Sequence, residues 1–231
     1  MGVKGMQVYH LDLQELPLFR DVSAAEVDKF INATGAVIKR VCKGMRILEA
    51  YEENDNIGVM VEGEAQVLAE DRFGNESVSH SLERGALLGS TSAIMPQIPY
   101  DMAIEALTDV LVLWIPYKAL LTAGPKLGRT HGLVMKNLLE AFCRKNVLMM
   151  QKIKILSQKT LRERLILYLL YKEQRQGKKR LHVPGRVQLA KELECNRSAL
   201  TREISVMQGE GLLLVGDDWM ELDAAKVAEM G

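Results

Sequence analysis

The stretch ELECNRSALTREISVMQGEGLLLV, residues 192–215, holds two helical patterns that meet at a polar joint and run into a short apolar strand. Residues 186–193 form the first helix and residues 196–208 the second. The apolar residues placed to fix their crossing are Leu189, Ala190, Leu193, Leu200 and Ile204. This arrangement predicts a helix-turn-helix, although residues 194–195, Glu-Cys, stand where glycine is common in such turns.

The second helix carries a polar face at its start. Arg197, Ser198, Thr201 and Arg202 occur at i, i+1, i+4 and i+5, so they share a face opposite Leu200 and Ile204. Two arginines one turn apart suit guanine O6 and N7 or phosphate, and the hydroxyls between them can contact either. The pattern therefore favours DNA recognition over a small helical domain that binds protein.

Two short apolar runs follow the second helix. Residues 212–215 and 219–222 predict two strands, and the Gly-Asp-Asp at residues 216–218 predicts the turn between them. Such a hairpin placed after a helix-turn-helix is a wing.

The formal net charge of zero hides an uneven distribution along the chain. Residues 1–125 hold 10 Lys and Arg against 18 Asp and Glu, and residues 207–231 hold 1 against 6. Residues 126–206 hold 19 Lys and Arg against 6 Asp and Glu. A basic block between acidic flanks is typical of a surface for a polyanion, although a solvated helical face has the same composition.

In the N-terminal half the apolar residues follow a different spacing. Residues 16–35 predict a helix capped by Ser23 and ended by Gly35. Residues 36–117 hold short apolar runs separated by glycines about ten residues apart, which predicts a small antiparallel β-roll. DRFGNE, residues 71–76, is a hairpin-turn sequence within it.

After residue 125 the apolar residues recur mostly at helical spacing. Residues 126–156 predict one long helix that is apolar on more than one face, so we expect a second copy of the chain to pack along it; burial against the roll is the alternative. Residues 157–159 predict a hinge, residues 161–171 another helix, and KEQRQGKKR at 172–180 a solvated loop. We therefore expect a sensor domain over 1–125, a dimerisation helix and hinge over 126–157, and a DNA-binding domain over 158–231.

Composition narrows the class of protein. At 231 residues and 48% hydrophobic content the chain is long enough for two domains with real cores. Apolar runs fall far short of a membrane span, the first residues lack the order of a signal peptide, and three isolated cysteines argue against a disulfide framework. We expect a cytoplasmic protein with no membrane partner.

The order of elements resembles that of the Crp/Fnr family of bacterial transcription regulators. The resemblance spans nearly the whole chain and is most specific in RSALTREISVMQGEGLL. It implies an α+β fold: an N-terminal jelly-roll β-roll of the cyclic-nucleotide-binding type, a long dimerisation helix and a C-terminal winged helix-turn-helix. It also implies that Arg186 holds phosphate and that Arg197, Ser198 and Arg202 face base edges. Because Ser198 replaces the glutamate of many members, their usual half-site cannot be assumed.

Family members that bind cyclic nucleotides carry Gly-Glu for the ribose and Arg-Ser for the phosphate. Gly89-Ser90 and Tyr100-Asp101 stand in those places here, and Asp101 would repel a phosphate. The sequence thus argues against cyclic AMP. It leaves an unidentified small organic effector, in a pocket formed by these residues with Phe142 and Met149 of the long helix, or no effector.

Other cofactors have little support in the sequence. The N-terminal cysteine cluster of the iron-sulfur relatives is absent, which argues against that cofactor. Haem stays open but unsupported, because His10, His80, His131 and His182 are scattered.

Two other function classes fit less of the chain. A metal-dependent, cupin-like enzyme would need histidines and carboxylates converging at strand spacing, and no such pattern is present. A regulatory module that binds only protein has no use for a basic recognition helix. We therefore expect no enzymatic activity. The expected partners are double-stranded DNA, a second copy of the chain and a small-molecule effector. For a regulator of transcription, RNA polymerase is a further partner.

Overall fold

The computed structural model describes residues 12–70 and 76–228. Two short 3-10 helices, Leu13–Glu15 and Pro17–Phe19, precede the first α-helix. The helices are α1 (Ala24–Thr34), α2 (Ser90–Ile94), α3 (Tyr117–Thr122), α4 (Gly124–Leu127), α5 (Arg129–Leu156), α6 (Leu161–Gln176), α7 (Arg186–Glu192), α8 (Arg197–Gly209) and α9 (Ala224–Ala228). The strands are β1 (Val37–Val41), β2 (Arg46–Leu48), β3 (Asn56–Glu62), β4 (Ala65–Glu70), β5 (Glu76–Leu82), β6 (Leu87–Leu88), β7 (Met102–Ala106), β8 (Val110–Pro116), β9 (Leu181–His182), β10 (Leu213–Val215) and β11 (Trp219–Leu222).

By its internal contacts the chain divides into two compact units, Met1–Ala141 and Phe142–Gly231. No helix among the described residues combines the length and the apolar character that crossing a membrane requires. The fold mixes helix and sheet, as the sequence predicts.

The first unit is built on two antiparallel sheets. One has the strand order β1-β8-β3-β6 and the other β2-β7-β4-β5. Apolar side chains from both sheets fill the space between them, and Met60, Val67 and Val112 are almost fully buried there. The predicted β-roll is therefore confirmed. The predicted turn at 71–76 lies almost wholly outside the described residues, but β4 and β5 pair on either side of it, with Glu70 opposite Glu76.

Helix α1 has both predicted end signals. Glu26 accepts hydrogen bonds from the Ser23 amide at 3.0 Å and from the Ser23 hydroxyl at 2.7 Å. Gly35 ends the helix with φ 67°, a conformation that glycine adopts without strain. Thr130, in the first turn of α5, donates to the other Glu26 oxygen at 3.1 Å, so this carboxylate joins the two helices.

Two helix boundaries differ from prediction by three residues or more. The long helix starts at Arg129, not residue 126, because Gly128 has φ 50° and ψ −120°, which no α-helix accommodates. Helix α6 starts at the capping box of Thr160 and Glu163 but continues to Gln176, five residues beyond the predicted end. The loop predicted over 172–180 is thus wrong for its first five residues, which are good helix formers; Gly177 then stops the helix with φ 62°.

The second unit has one continuous apolar core and a small sheet. Strands β10, β11 and β9 form an antiparallel sheet in that order. Leu165 and Leu169 of α6 pack in the same core as Met220 of β11, and all three are completely buried. The predicted two-stranded wing is present, and β9 extends it by a third strand.

Glu26 predicts a pH dependence of stability. Hydrogen bonds from Ser23, and then from Thr130, lower the pKa of Glu26 from 4.5 to about 2. A carboxyl whose pKa is depressed by folding stabilises fully above its unfolded pKa, so we expect this stabilisation to fade as pH falls from about 4.5 towards 2. Thermal unfolding across that range should show a lower melting temperature for Glu26→Gln than for the wild type at pH 4.5 and above. This gap should close as the pH falls. Glu83→Gln, which alters an exposed carboxylate outside α1, should show no such gap; a constant gap for Glu26→Gln would contradict the assignment.

Candidate nucleic-acid interface and effector pocket

The helix-turn-helix is formed by α7 and α8. Leu189, Leu193 and Leu200 are completely buried, and Ala190 and Ile204 are nearly so. The five apolar residues that the sequence assigns to the crossing therefore lie together in the core of the second unit. Burial of this one stripe of α8 fixes which side of the helix faces outward.

Helix α8 begins one residue later than predicted because Asn196 is its N-cap. The Asn196 side-chain oxygen accepts from the Ser198 amide at 2.9 Å and from the Ser198 hydroxyl at 2.7 Å. Asparagine is among the most favourable residues at this position, since its side chain pairs with an amide that the helix leaves unpaired.

The outward side of α8 is polar and basic. Arg197, Ser198, Thr201 and Arg202 are all exposed and line one shallow depression, as their spacing predicts. Ser205, one turn after Thr201, lines it too and was not predicted, although the i+4 spacing was a signal for it.

The hydroxyls on this surface donate inwards. Ser198 donates to Asn196, Thr201 donates to the Arg197 carbonyl at 2.9 Å, and Ser205 donates to the Thr201 carbonyl at 3.1 Å. In these conformations the lone pairs of the hydroxyl oxygens are left for an outside donor. The depression thus combines two exposed arginine side chains with three hydrogen-bond acceptors.

Arg186 is the first residue of α7. It is half-buried, and burial lowers the pKa of its guanidinium. A guanidinium stays charged far above neutral pH even so, and it carries five donors. Its position at a helix start is compatible with the predicted phosphate contact.

Arg162, at the start of α6, holds α8 in place. Its Nε donates to Glu203 at 2.7 Å, and its two terminal nitrogens donate to the Glu210 oxygens at 2.8 and 3.1 Å. Charge-assisted pairs with this fork geometry are directional as well as strong. Arg162 could not be identified from the sequence, because its partners lie more than 40 residues away and leave no local pattern.

The wing turn is acidic. Asp217 and Asp218 are both exposed, and Asp218 lies 3.2 Å from the ring of His182. Beside the turn, the Arg180 guanidinium lies 4.2 Å from the centre of the Trp219 ring. A turn with two carboxylates repels phosphate rather than binding it.

The predicted effector residues differ in burial and in the contacts around them. Gly89 precedes α2 with φ 60°, and Ser90 is buried. The Asn54 amide donates to the Gly89 carbonyl at 2.8 Å and to the Ser92 hydroxyl at 3.2 Å, which ties α2 to the segment before β3. Asp101 is exposed.

A cleft of about 620 Å³ lies beside this segment, and among the six predicted effector residues it contains Tyr100. Burial raises the pKa of the Tyr100 hydroxyl, and Asp101 adds to the shift. The residues that line the cleft are Tyr51, Glu52, Glu53, Asn54, Asp55, Ser92, Pro96, Gln97, Ile98, Pro99 and Tyr100. They include three carboxylates and no basic side chain, so the cleft is unsuited to an anion. The other two predicted residues lie on α5, where Phe142 is half-buried and Met149 is 58% exposed.

Part of the chain matches a known protein family. The family model of the cyclic nucleotide-binding domain matches residues 38–123. No curated protein matches the chain by sequence.

Solved structures with the same fold cover nearly the whole chain. The catabolite activator protein of Thermus thermophilus is 21% identical, with a TM-score of 0.52 over 92% of this chain and 96% of its own. CprK in complex with OCPA is 16% identical, with a TM-score of 0.69 over 88% and 93%. A protein from Eubacterium rectale assigned to the Crp/Fnr transcription regulators is 21% identical, with a TM-score of 0.50 over 93% and 97%. The resemblance to the Crp/Fnr regulators is therefore confirmed at the level of the fold.

The turn between α7 and α8 predicts a stabilising substitution. Glu194 has φ 50°, which strains any residue with a Cβ, and its ion pair with Lys152 is 4.0 Å long and exposed. We expect Glu194→Gly to raise the free energy of unfolding by about 0.5–1 kcal/mol. Glu194→Ala is the matched control, since it removes the carboxylate but keeps the strain. Equal urea midpoints for the two variants would show that backbone strain is not the cause.

Proposed function

We propose that this chain is a DNA-binding transcription regulator of the Crp/Fnr type that acts in the cytoplasm as a homodimer under the control of a small-molecule effector. The observation that carries the proposal is the outward face of α8, where Arg197 and Arg202 flank Ser198 and Thr201. The face lies at the start of the second helix of a helix-turn-helix, the part that meets base edges in such motifs. The fold shared with the Crp/Fnr regulators supports the same conclusion.

The charge distribution supports a DNA partner. The basic block at residues 126–206, with 19 Lys and Arg against 6 Asp and Glu, includes α6, α7 and most of α8. Neutralising phosphates with such residues releases counterions, so the affinity should fall log-linearly with salt. The acidic wing turn leaves phosphate binding to the helices, and Arg186 at the start of α7 is the residue we assign to it.

The exposed face of α5 supports the homodimer. Val147, Met149 and Ile153 are each more than half exposed in the single chain, and surface residues this apolar mark an interaction site when they are contiguous. Two copies joined along residues 126–156 would carry two α8 helices into major grooves about 34 Å apart, so the operator is a pseudo-palindrome. RNA polymerase is the further partner of such a regulator.

The effector is not a cyclic nucleotide in this proposal. Tyr100 and Asp101 replace the residues that hold the phosphate in family members that bind one, and the cleft beside them is lined by Glu52, Glu53 and Asp55. For haem, all three described histidines already have other contacts: His80 lies 3.2 Å from the Ser79 hydroxyl, His131 lies 2.9 Å from the Leu120 carbonyl, and His182 pairs with Asp218. We infer a small organic effector without a negatively charged phosphate.

Two arginine substitutions separate base reading from phosphate binding. Arg202→Ala should weaken binding to a selected genomic operator by roughly 1–3 kcal/mol and relax preference at one base pair, because Arg202 faces outward within α8. Arg186→Ala should weaken operator and random DNA alike and reduce the salt slope by about 1. Fluorescence anisotropy over a series of salt concentrations measures both.

Lys29→Ala, which alters an exposed lysine on α1, is the control and should alter neither property. Equal losses on operator and random DNA for Arg202→Ala would place that residue among the phosphate contacts. Absence of any salt-dependent DNA binding by the wild type would refute the proposed function; metal-dependent turnover instead would favour the cupin-like enzyme.

Cyclic AMP provides a test of the effector domain. Added up to millimolar concentration, it should change neither the melting temperature nor the DNA affinity, because a ligand stabilises a protein only by binding its folded state. Differential scanning fluorimetry with cyclic AMP and with a panel of metabolites measures this directly. A dose-dependent rise in melting temperature with cyclic AMP would show that our assignment of the pocket is wrong.

A further inference from the structure

The hydroxyl group of Ser198 donates its proton in a fixed direction. It lies 2.7 Å from a side-chain atom of Asn196 that also accepts from the Ser198 backbone amide at 2.9 Å. A backbone amide can only donate, so this atom of Asn196 is the oxygen of the side chain and not its nitrogen. Because an amide oxygen only accepts, the Ser198 hydroxyl must be the donor in the contact.

The usual helical acceptor is missing at the position of Ser198. A serine further along a helix can donate to the carbonyl four residues before it, as Ser205 does to Thr201 at 3.1 Å. Ser198 is the second residue of α8, and the residue four positions earlier is Glu194, whose φ of 50° places it outside the helix. The Asn196 side chain therefore supplies an acceptor that the helix itself does not.

The oxygen of this hydroxyl is left as an acceptor on the outward face of α8. Its proton is used by Asn196, whereas its lone pairs remain, and Ser198 is exposed beside Arg197 and Arg202. In the major groove, adenine and cytosine present an amino group, whereas guanine and thymine present a keto oxygen. An acceptor gains a hydrogen bond from an amino base and meets the lone pairs of a keto base.

We propose that Asn196 sets the base preference at one position of the operator. By holding the Ser198 hydroxyl as an acceptor, it makes α8 select adenine or cytosine over guanine or thymine on the strand that Ser198 faces. The inference rests on the DNA binding of the proposed function and names the chemical group that one of its residues recognises. Asn196 is a positioning residue, since it acts on the base through Ser198.

Two substitutions separate this role from the capping of α8. Glycine is nearly as good an N-cap as asparagine, but it has no side chain to hold the hydroxyl. In Asn196→Gly the hydroxyl can rotate and donate to a keto oxygen as readily as it accepts from an amino group. Aspartate caps equally well and keeps an acceptor oxygen, so Asn196→Asp should preserve the preference, although its negative charge weakens binding to all DNA alike.

Selection of binding sites from randomised DNA by the full-length protein measures the preference. Ser198→Ala should lose it at one base pair, which identifies the position that Ser198 reads. There the wild type and Asn196→Asp should prefer an amino base on one strand by about tenfold, and Asn196→Gly should not. Thr160→Gly, which removes the N-cap of α6, is the matched control and should keep the wild-type preference.

Three outcomes of the selection overturn the inference. They are a keto base preferred at that position, a preference in Asn196→Gly equal to that of the wild type, and a Ser198→Ala variant that changes no position. Melting temperatures of the variants, measured alongside, show that each of them is folded.

Base analogues test the contact itself. Purine in place of the selected adenine, or 2-pyrimidinone in place of the selected cytosine, lacks the amino group. Fluorescence anisotropy should show that this change weakens the wild type about tenfold more than it weakens Ser198→Ala. Any effect of the analogue on the duplex is common to both proteins and cancels in the comparison. An equal loss for the two proteins would overturn the inference.

The wild type separates this inference from the proposed function. A wild-type protein that shows no salt-dependent DNA binding refutes the proposed function and the inference with it. A wild-type protein that selects a defined operator, but whose preference is unaffected by Asn196→Gly, refutes the role of Asn196 and leaves the proposed function standing.

Discussion

The apolar crossing of α7 and α8 decides what the second unit presents to its surroundings. Leu189, Leu193 and Leu200 are completely buried in it, and burying each contributes about 1.5–3 kcal/mol. Because α8 has a single buried stripe, this crossing turns Arg197 and Arg202 outward. The outward residues contribute little to the crossing itself, so the outward surface of α8 can differ between proteins that keep the same fold.

Polar contacts then restrict how far α8 can move. Arg162 binds Glu203 and Glu210 with a planar fork, which constrains direction in a way that apolar packing does not. The side chain of Asn196 caps the first turn and also orients the Ser198 hydroxyl. These contacts restrain the position of the helix that carries the proposed DNA-binding face.

The β-roll illustrates the difference between a fold and a binding site. Residues 38–123 match the cyclic nucleotide-binding domain, yet Tyr100 and Asp101 stand where the phosphate partner is expected. The cleft beside them is acidic, whereas a cyclic phosphate needs positive charge or amide donors. The strand order depends on apolar alternation, and the ligand depends on a few side chains at the ends of strands, so the two can change separately.

Local patterns in the sequence determined most of the secondary structure. Helix α1, the β-roll, the end of α5 at Leu156 and the pair α7 and α8 were predictable, because capping residues and apolar periodicity act within one or two turns. The start of α5 at Arg129 depended on the conformation of Gly128, which composition does not reveal. The end of α6 is marked in the sequence by good helix formers up to Gln176 and by Gly177 after them.

Only the tertiary structure decided the contacts between distant residues. Arg162 and Glu210 are 48 positions apart, and the cleft at Tyr100 is formed by two segments about 45 residues apart along the chain. The outward polar face of α8 was predictable from spacing alone, including Ser205, which lies four residues after Thr201. The residues that hold that face in position were not, because a single sequence records which side chains a chain has but not which of them folding brings together.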